Sequence, residues 1–194
     1  MIVAASARAI ILDRDGTIVV DGDYLDEPAR LQLLPGAAEG LRRLHERGHP
    51  LIVVSNQSGV GRGLFSLARL QEINQRFLHM VEEAGAKIDG LYFCPHRPED
   101  NCACRKPGTQ LVLEAAAALG FVPARSVVIG DKGSDVELGR RLQALTMLVS
   151  ATGRASDGQG PAPDYIVHDL REAAAIIEKL GRSAAPSGRD TAQA

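Results

Sequence analysis

Six short apolar runs alternate with longer stretches of helical periodicity, and this alternation constrains the chain more than any other feature. The runs are Arg8–Leu12, Pro50–Ser55, Gly90–Phe93, Ser126–Gly130, Thr146–Val149 and Tyr165–Val167. They are too short for helices and nearly continuous in apolar residues, as strands are when both sheet faces are covered. The intervening segments read as helices over Gly36–Arg47, Ser66–Ala84, Gly108–Leu119, Asp135–Leu142 and Leu170–Leu180. In the second, Leu67, Leu70, Ile73, Phe77 and Val81 share a side, Ser66 stands as N-cap and Gly85 follows the end. Alternating β and α elements predict a three-layer, doubly wound parallel α/β sheet. One domain is expected over residues 1–182. The Ser183–Ala194 tail, rich in Ala, Ser, Gly and Pro, is expected to be disordered. Ala151–Pro163 reads as a Gly/Pro-rich loop.

Polar residues follow four of the runs, on the rim where such sheets bind ligands. Ile10-Ile11-Leu12 stops at Asp13, and Asp15-Gly16 comes two residues later. Ionised carboxylates at the end of a buried strand need compensation. Two so close together suit a divalent cation, and one can attack phosphorus to form an aspartyl-phosphate. A β-turn uses the same residue types, so this stretch alone leaves both readings open. Ser55-Asn56-Gln57-Ser58-Gly59-Val60-Gly61-Arg62-Gly63 follows the second strand. Its hydroxyl, amides and glycine backbone could cradle an anion, with Arg62 adding charge, or it could be a flexible loop with a helix cap. Asp131 follows the fourth run and would complete a Mg²⁺ site. Asp135 could lie near that metal or serve as a first-turn acid of the next helix.

All three cysteines lie between residues 94 and 104. Cys94, His96, Cys102 and Cys104 form a Cys₃His set within eleven residues, which suits a structural zinc ion with no open coordination position. Arg105-Lys106-Pro107 comes directly after it. Lys106 is a point charge suited to a transferring phosphoryl group, and Arg105 can grip an anion with two parallel bonds.

Composition narrows the class. Hydrophobic residues make up 45% and charged residues 24%, as in an ordinary globular protein. The net charge of −2 offers no electrostatic case for nucleic acid or an anionic membrane. No apolar run is long enough to span a bilayer, and no basic-then-apolar leader opens the chain, so a cytoplasmic location is expected, with a monomer as the default assembly. Neither a nucleophile-elbow Gly-x-Ser-x-Gly nor a Walker A motif is present.

Asp13-Arg14-Asp15-Gly-Thr, Ser55-Asn56-Gln57, Lys106 and Gly130-Asp131-Lys132-x-x-Asp135 occur in the order of the haloacid dehalogenase-like (HAD) phosphatases, which the chain resembles from about residue 8 to about residue 180. The Cys-Pro-His…Cys-x-Cys-Arg-Lys-Pro insertion is similar to the zinc-containing branch of that superfamily, which acts on heptose bisphosphates and histidinol phosphate. The resemblance implies that Asp13 is the nucleophile and a Mg²⁺ ligand. Asp15 would be the general acid/base, with its carbonyl on the metal, and Asp131 the remaining protein ligand. Ser55 and Lys106 would hold the phosphoryl group, with Lys132 and Asp135 in support. Asn56, Gln57, Arg62, Arg105 and the segment Asp21, Gly22, Asp23, Tyr24 would meet the rest of the substrate. Cys94, His96, Cys102 and Cys104 match the zinc ligands. About forty residues separate Asp15 from Ser55 and about fifty separate Ser55 from Lys106. These gaps leave no room for a separate cap domain. After Arg-Lys-Pro the chain reads Gly108-Thr109-Gln110-Leu111, where the heptose enzymes usually show Pro-Gly-Met. A sugar bisphosphate is the expected substrate, with histidinol phosphate or another small sugar phosphate the alternative. A non-catalytic zinc-stabilised binding module is the remaining one.

Overall fold

A computed structural model describes residues 7–22, 26–155 and 157–183. Six strands form one sheet: β1 (Ile10–Leu12), β2 (Leu51–Asn56), β3 (Gly90–Cys94), β4 (Val127–Gly130), β5 (Leu145–Val149) and β6 (Tyr165–Val167). Their order is β3-β2-β1-β4-β5-β6, and every pairing is parallel. The chain winds outward from β1 to β3, then returns to place β4 on the other side of β1. Strand order therefore reverses between β1 and β4, where a crevice opens at the carboxyl ends.

Helices cover both faces. The helices are α1 (Ala37–Glu46), α2 (Ser58–Gly61), α3 (Leu67–Glu83), α4 (Gln110–Leu119), α5 (Gly133–Arg141) and α6 (Leu170–Ser183). Side chains alternate across a strand. Ile10 and Leu12 accordingly join one core with Leu41 and Leu44 of α1, Ile73 and Phe77 of α3 and Ala173 of α6. Ile11 joins the opposite core with Val112 and Ala115 of α4 and Leu138 of α5. Each of these side chains larger than alanine contributes about 1.5–3 kcal/mol by leaving water. Together the two cores make the three layers. Among the described residues there is one sheet, and the insertions after β1 and β3 carry only short 3₁₀ turns, Pro28–Arg30 and Pro98–Asp100.

The sequence periods locate every strand and all five long helices, with differences at the ends. Helix α5 begins at Gly133, two residues before the expected start at Asp135. The Asp135 carboxylate reaches back and accepts from the Lys132 N–H at 3.1 Å, so it caps the turn that precedes it. Helix α4 begins at Gln110, because Gly108 is still in a turn whose N–H donates to the Arg105 carbonyl. Helix α6 runs three residues past Leu180. At α3, Ser66 caps as expected, accepting from the Arg69 N–H at 3.1 Å. The short helix α2 is unexpected. Gly59 in it packs under the Phe65 ring and Gly61 against the Pro95 carbonyl, so these glycines permit close packing. The Gly61 N–H donates to Pro95 at 2.9 Å and the Gly63 N–H to Val60 at 2.9 Å, so those amides are spent on the loop itself. Of the tail, only the helical Ser183 belongs to the described residues.

Candidate active site

The strand ends deliver their polar residues to one place. Asp13 continues β1, and its N–H still donates to the Ile129 carbonyl of β4 at 2.9 Å. Its side chain is therefore fixed by the sheet. Asp131 continues β4, and Asp135 stands on the first turn of α5. Carboxylate oxygens of Asp13, Asp131 and Asp135 all lie within 4.8 Å of one another, and all three residues are buried. Glycines make the approach possible. A Cβ on Gly130 would overlap the Asp135 carboxylate. One on Gly16, whose φ is +84°, would meet an Asp131 oxygen at 2.5 Å.

Lys106 enters this group from the loop after β3. Its ammonium is 2.6 Å from Asp13 Oδ1 and 2.7 Å from Asp135 Oδ1. Its backbone is held from β2. The Lys106 N–H donates to Asn56 Oδ1 at 2.9 Å, and Asn56 Nδ2 donates to the Lys106 carbonyl at 3.2 Å. Both ends of the Asn56 amide thus clamp residue 106. Burial pushes the Asp13 carboxyl up to about 6; Lys106 counters this, while Asp135 and Asp15 add to it. Burial also disfavours the Lys106 ammonium, but Asp13 and Asp135 outweigh it and raise its pKa above the ordinary value. The lysine therefore stays charged.

Asp15 lines a cleft of about 460 Å³ together with Asn56, Gln57, Arg105, Lys106 and Lys132. Three donors fix its carboxylate. Arg14 Nε donates to Oδ1 at 3.0 Å, Arg14 Nη2 to Oδ2 at 2.9 Å and Gln57 Nε2 to Oδ2 at 2.7 Å. Gln57 also donates to Ser55 Oγ at 2.6 Å, which ties Ser55 to Asp15. Asp21 and Gly22 line the cleft, and Asp21 meets the Lys132 ammonium across it at 3.1 Å. Asp23 and Tyr24 lie outside the described residues. Arg62 is not brought into the cleft; its guanidinium faces Glu99 at 3.6 Å. Arg105 Nη1 is buried with no hydrogen-bond partner, and the residue borders the cleft.

Beside the cleft, Cys94, His96, Cys102 and Cys104 converge. The sulfurs are 3.2–3.5 Å apart, and His96 Nδ1 lies 3.2 Å from Cys104 and 3.6 Å from Cys94. A tetrahedral zinc ion with about 2.3 Å bonds needs edges of about 3.8 Å, so a small expansion would admit it. The Asp13–Asp131–Asp135 set offers only carboxylate oxygens, the donor type of Mg²⁺. The two centres call for different metals.

Sequence reasoning missed two residues and left one loop without a role. Arg14 is 2% exposed, and its Nη1 donates to Asn74 Oδ1 of α3 at 2.9 Å. The signals were present. Position 14 continues the every-second-residue spacing of Ile10 and Leu12, and Asn74 interrupts the apolar stripe of α3. The 151–163 loop also gains a place. Asp157 accepts from the Gly133 N–H at 3.1 Å and lines the cleft.

Known proteins match this chain along most of its length. The HAD-hydrolase-like family matches residues 103–173. The D-glycero-beta-D-manno-heptose-1,7-bisphosphate 7-phosphatase of Haemophilus influenzae is 32% identical over 180 residues, covering 89% of this chain and 98% of that protein. The Yersinia pestis protein of the same name is 33% identical over 175 residues, covering 86% and 93%. Among solved structures, the D,D-heptose 1,7-bisphosphate phosphatase of B. bronchiseptica, complexed with magnesium and phosphate, superposes with a TM-score of 0.80 at 31% identity. That match covers 91% of this chain and 99% of that one.

Proposed function

Because the chain belongs to the heptose 1,7-bisphosphate phosphatase family of the HAD-like hydrolases, we propose that it removes the C7 phosphate from D-glycero-D-manno-heptose 1,7-bisphosphate. One observation carries the chemistry. Asp13, Lys106, Asp135 and Asp131 meet at the β1/β4 switch point, with Asp15 beside them in an open cleft. The names of the relatives support the substrate.

Asp13 attacks phosphorus, forming an Asp13 oxygen–phosphorus bond as the phosphorus–ester oxygen bond breaks. Asp15 gives its proton to the departing alkoxide. A water then attacks the aspartyl-phosphate, Asp15 takes the water's proton, and the bond from Asp13 to phosphorus breaks to release phosphate. Lys106 balances charge on the phosphoryl oxygens from its place between Asp13 and Asp135. Mg²⁺ held by Asp13, Asp131 and the Asp15 carbonyl would neutralise phosphoryl charge when bound. Asp135 holds Lys106, and Ser55 is positioned through Gln57 to reach the phosphoryl group. Arg105 and Lys132 offer cationic contacts for the distal phosphate, while Asp21 and Gly22 border the sugar. Zinc on the Cys₃His set would stiffen the loop that carries Arg105 and Lys106. Free thiols reserved for such a metal fit a reducing cytoplasm. No helix among the described residues is long and apolar enough to cross a membrane.

Phosphate release from heptose 1,7-bisphosphate with Mg²⁺ tests the proposal, run beside histidinol phosphate and simple sugar phosphates. The highest kcat/KM is expected on heptose bisphosphate, with one phosphate released per sugar. A higher kcat/KM on histidinol phosphate would transfer the assignment to that branch member. Absence of release from every ester would leave only the binding-module reading.

A further inference from the structure

We propose that Arg14 is a positioning residue, braced by Asn74, that locks the Asp15 carboxylate in its proton-transferring orientation; this rests on the phosphatase reading of the cleft. Arg14 is among the largest fully buried side chains of the protein, at 2% exposure. A guanidinium in that position is costly to desolvate, and a buried ion pair does not in general stabilise a fold more than apolar packing of the same volume. Its geometry points to specification instead. The planar fork places Nε on Asp15 Oδ1 and Nη2 on Oδ2, so it fixes both the distance and the plane of the carboxylate. The third nitrogen, Nη1, is spent on Asn74 Oδ1, which prevents the fork from rotating. Asn74 sits on the buried stripe of α3 between Leu70 and Phe77, so the brace is anchored in the core.

The carboxylate is held unevenly. Oδ2 accepts from Arg14 and Gln57, whereas Oδ1 accepts from Arg14 alone. A carboxylate has about four acceptor positions, so Oδ1 keeps more free acceptor capacity than Oδ2. A general acid contributes only when it is within hydrogen-bond reach of the leaving oxygen, and a free rotamer would spend most of its time elsewhere. Lysine could supply the charge but not the fork.

The test uses Arg14→Met, Arg14→Lys and Asn74→Leu. Each is measured for Tm, KM and the single-turnover rate of ester cleavage. Two esters are compared: heptose bisphosphate, whose alkoxide needs a proton to leave, and p-nitrophenyl phosphate, whose phenolate leaves without one. Arg14→Met is expected to slow the sugar ester about 10–100-fold, and the nitrophenyl ester less than about 3-fold, at unchanged KM. Arg14→Lys is expected not to restore the rate. Asn74→Leu is expected to show the same selectivity with a smaller loss. Equal slowing of both esters, a raised KM at unchanged kcat, or full activity in Arg14→Lys would overturn the proposal. If Arg14→Met fails to fold, Asn74→Leu decides by the same ratio. A wild-type protein inert toward both esters would remove the phosphatase reading itself.

Discussion

The carboxylate centre and the cysteine centre lie side by side, yet they are built in opposite ways. Asp13, Lys106, Asp131 and Asp135 come from two strand ends, a helix and a loop, and only the strand order brings them together. Cys94, His96, Cys102 and Cys104 come from eleven consecutive residues and need little beyond a turn of chain. One centre depends on the whole fold. The other would stiffen a local segment when it holds a metal. Their donors differ as well, oxygen against sulfur and imidazole, so each can be disrupted separately.

The largest effect is expected at the nonlocal centre. Asp13→Asn should lower kcat by about 10⁴-fold or more while the fold persists, because it removes the attacking atom and leaves Lys106 paired with Asp135. Turnover and near-UV circular dichroism would show it; retention of more than a few per cent of activity would remove Asp13 as nucleophile. Lys106→Ala should be damaging in a different way. It leaves Asp13 and Asp135 buried without their shared cation and should cost about 3–5 kcal/mol of stability, visible as a lower denaturant midpoint. Asp13→Asn and Lys106→Ala together distinguish a group needed for chemistry from one needed for both.

Cys102→Ser tests the local centre. It should release zinc, lower Tm by several degrees and reduce kcat/KM by about 10-fold, because Cys104 is covalently next to Arg105 and Lys106. Metal content, Tm and turnover should fall together. Loss of zinc with unchanged kcat/KM would show the two centres to be independent.

A subtler effect comes from pH. Asp13 binds its proton more tightly when folded, at about 6 against an ordinary 3.8. This group's contribution to metal-free stability is fully present below about 3.8 and is lost as pH rises through about 6. Mg²⁺ would offset that loss by binding the ionised form. At a concentration of 100 Kd it should add about 2.7 kcal/mol, and the resulting rise in Tm should be larger at pH 7 than at pH 5. Equal shifts at both values would contradict metal binding at Asp13. The smallest effect is expected at the rim. Asp157→Ala removes an acceptor at the start of α5 and should cost about 1 kcal/mol by denaturant titration, with a change in KM but not in kcat.

The same contrast explains what the sequence made legible. The cysteine set is readable because its members are close in the chain and chemically unusual. The strands are readable because burial on both faces leaves near-continuous apolar runs, and Asp13 and Asp131 stand out by ending two of them. Arg14 and Asn74 were harder, because charge at position 14 looks like part of a turn until α3 is laid over it. Asn56 was assigned to the substrate, yet its amide is occupied by the Lys106 backbone. The residue type was legible there, and the partner fifty positions away was not. The glycines at 59 and 61 look like an anion loop in one dimension. In three dimensions they clear space for Phe65 and for the Pro95 carbonyl.

The clamp from Asn56 to residue 106 has an engineering consequence. Since a strand, and not the outer turn of the cysteine loop, grips the peptide that presents the lysine, residues 97–101 form an exchangeable tip. Grafts of altered length or polarity at that tip would leave the cleft lining intact, because none of these residues borders it. The ammonium would still be delivered to the same point in the interior.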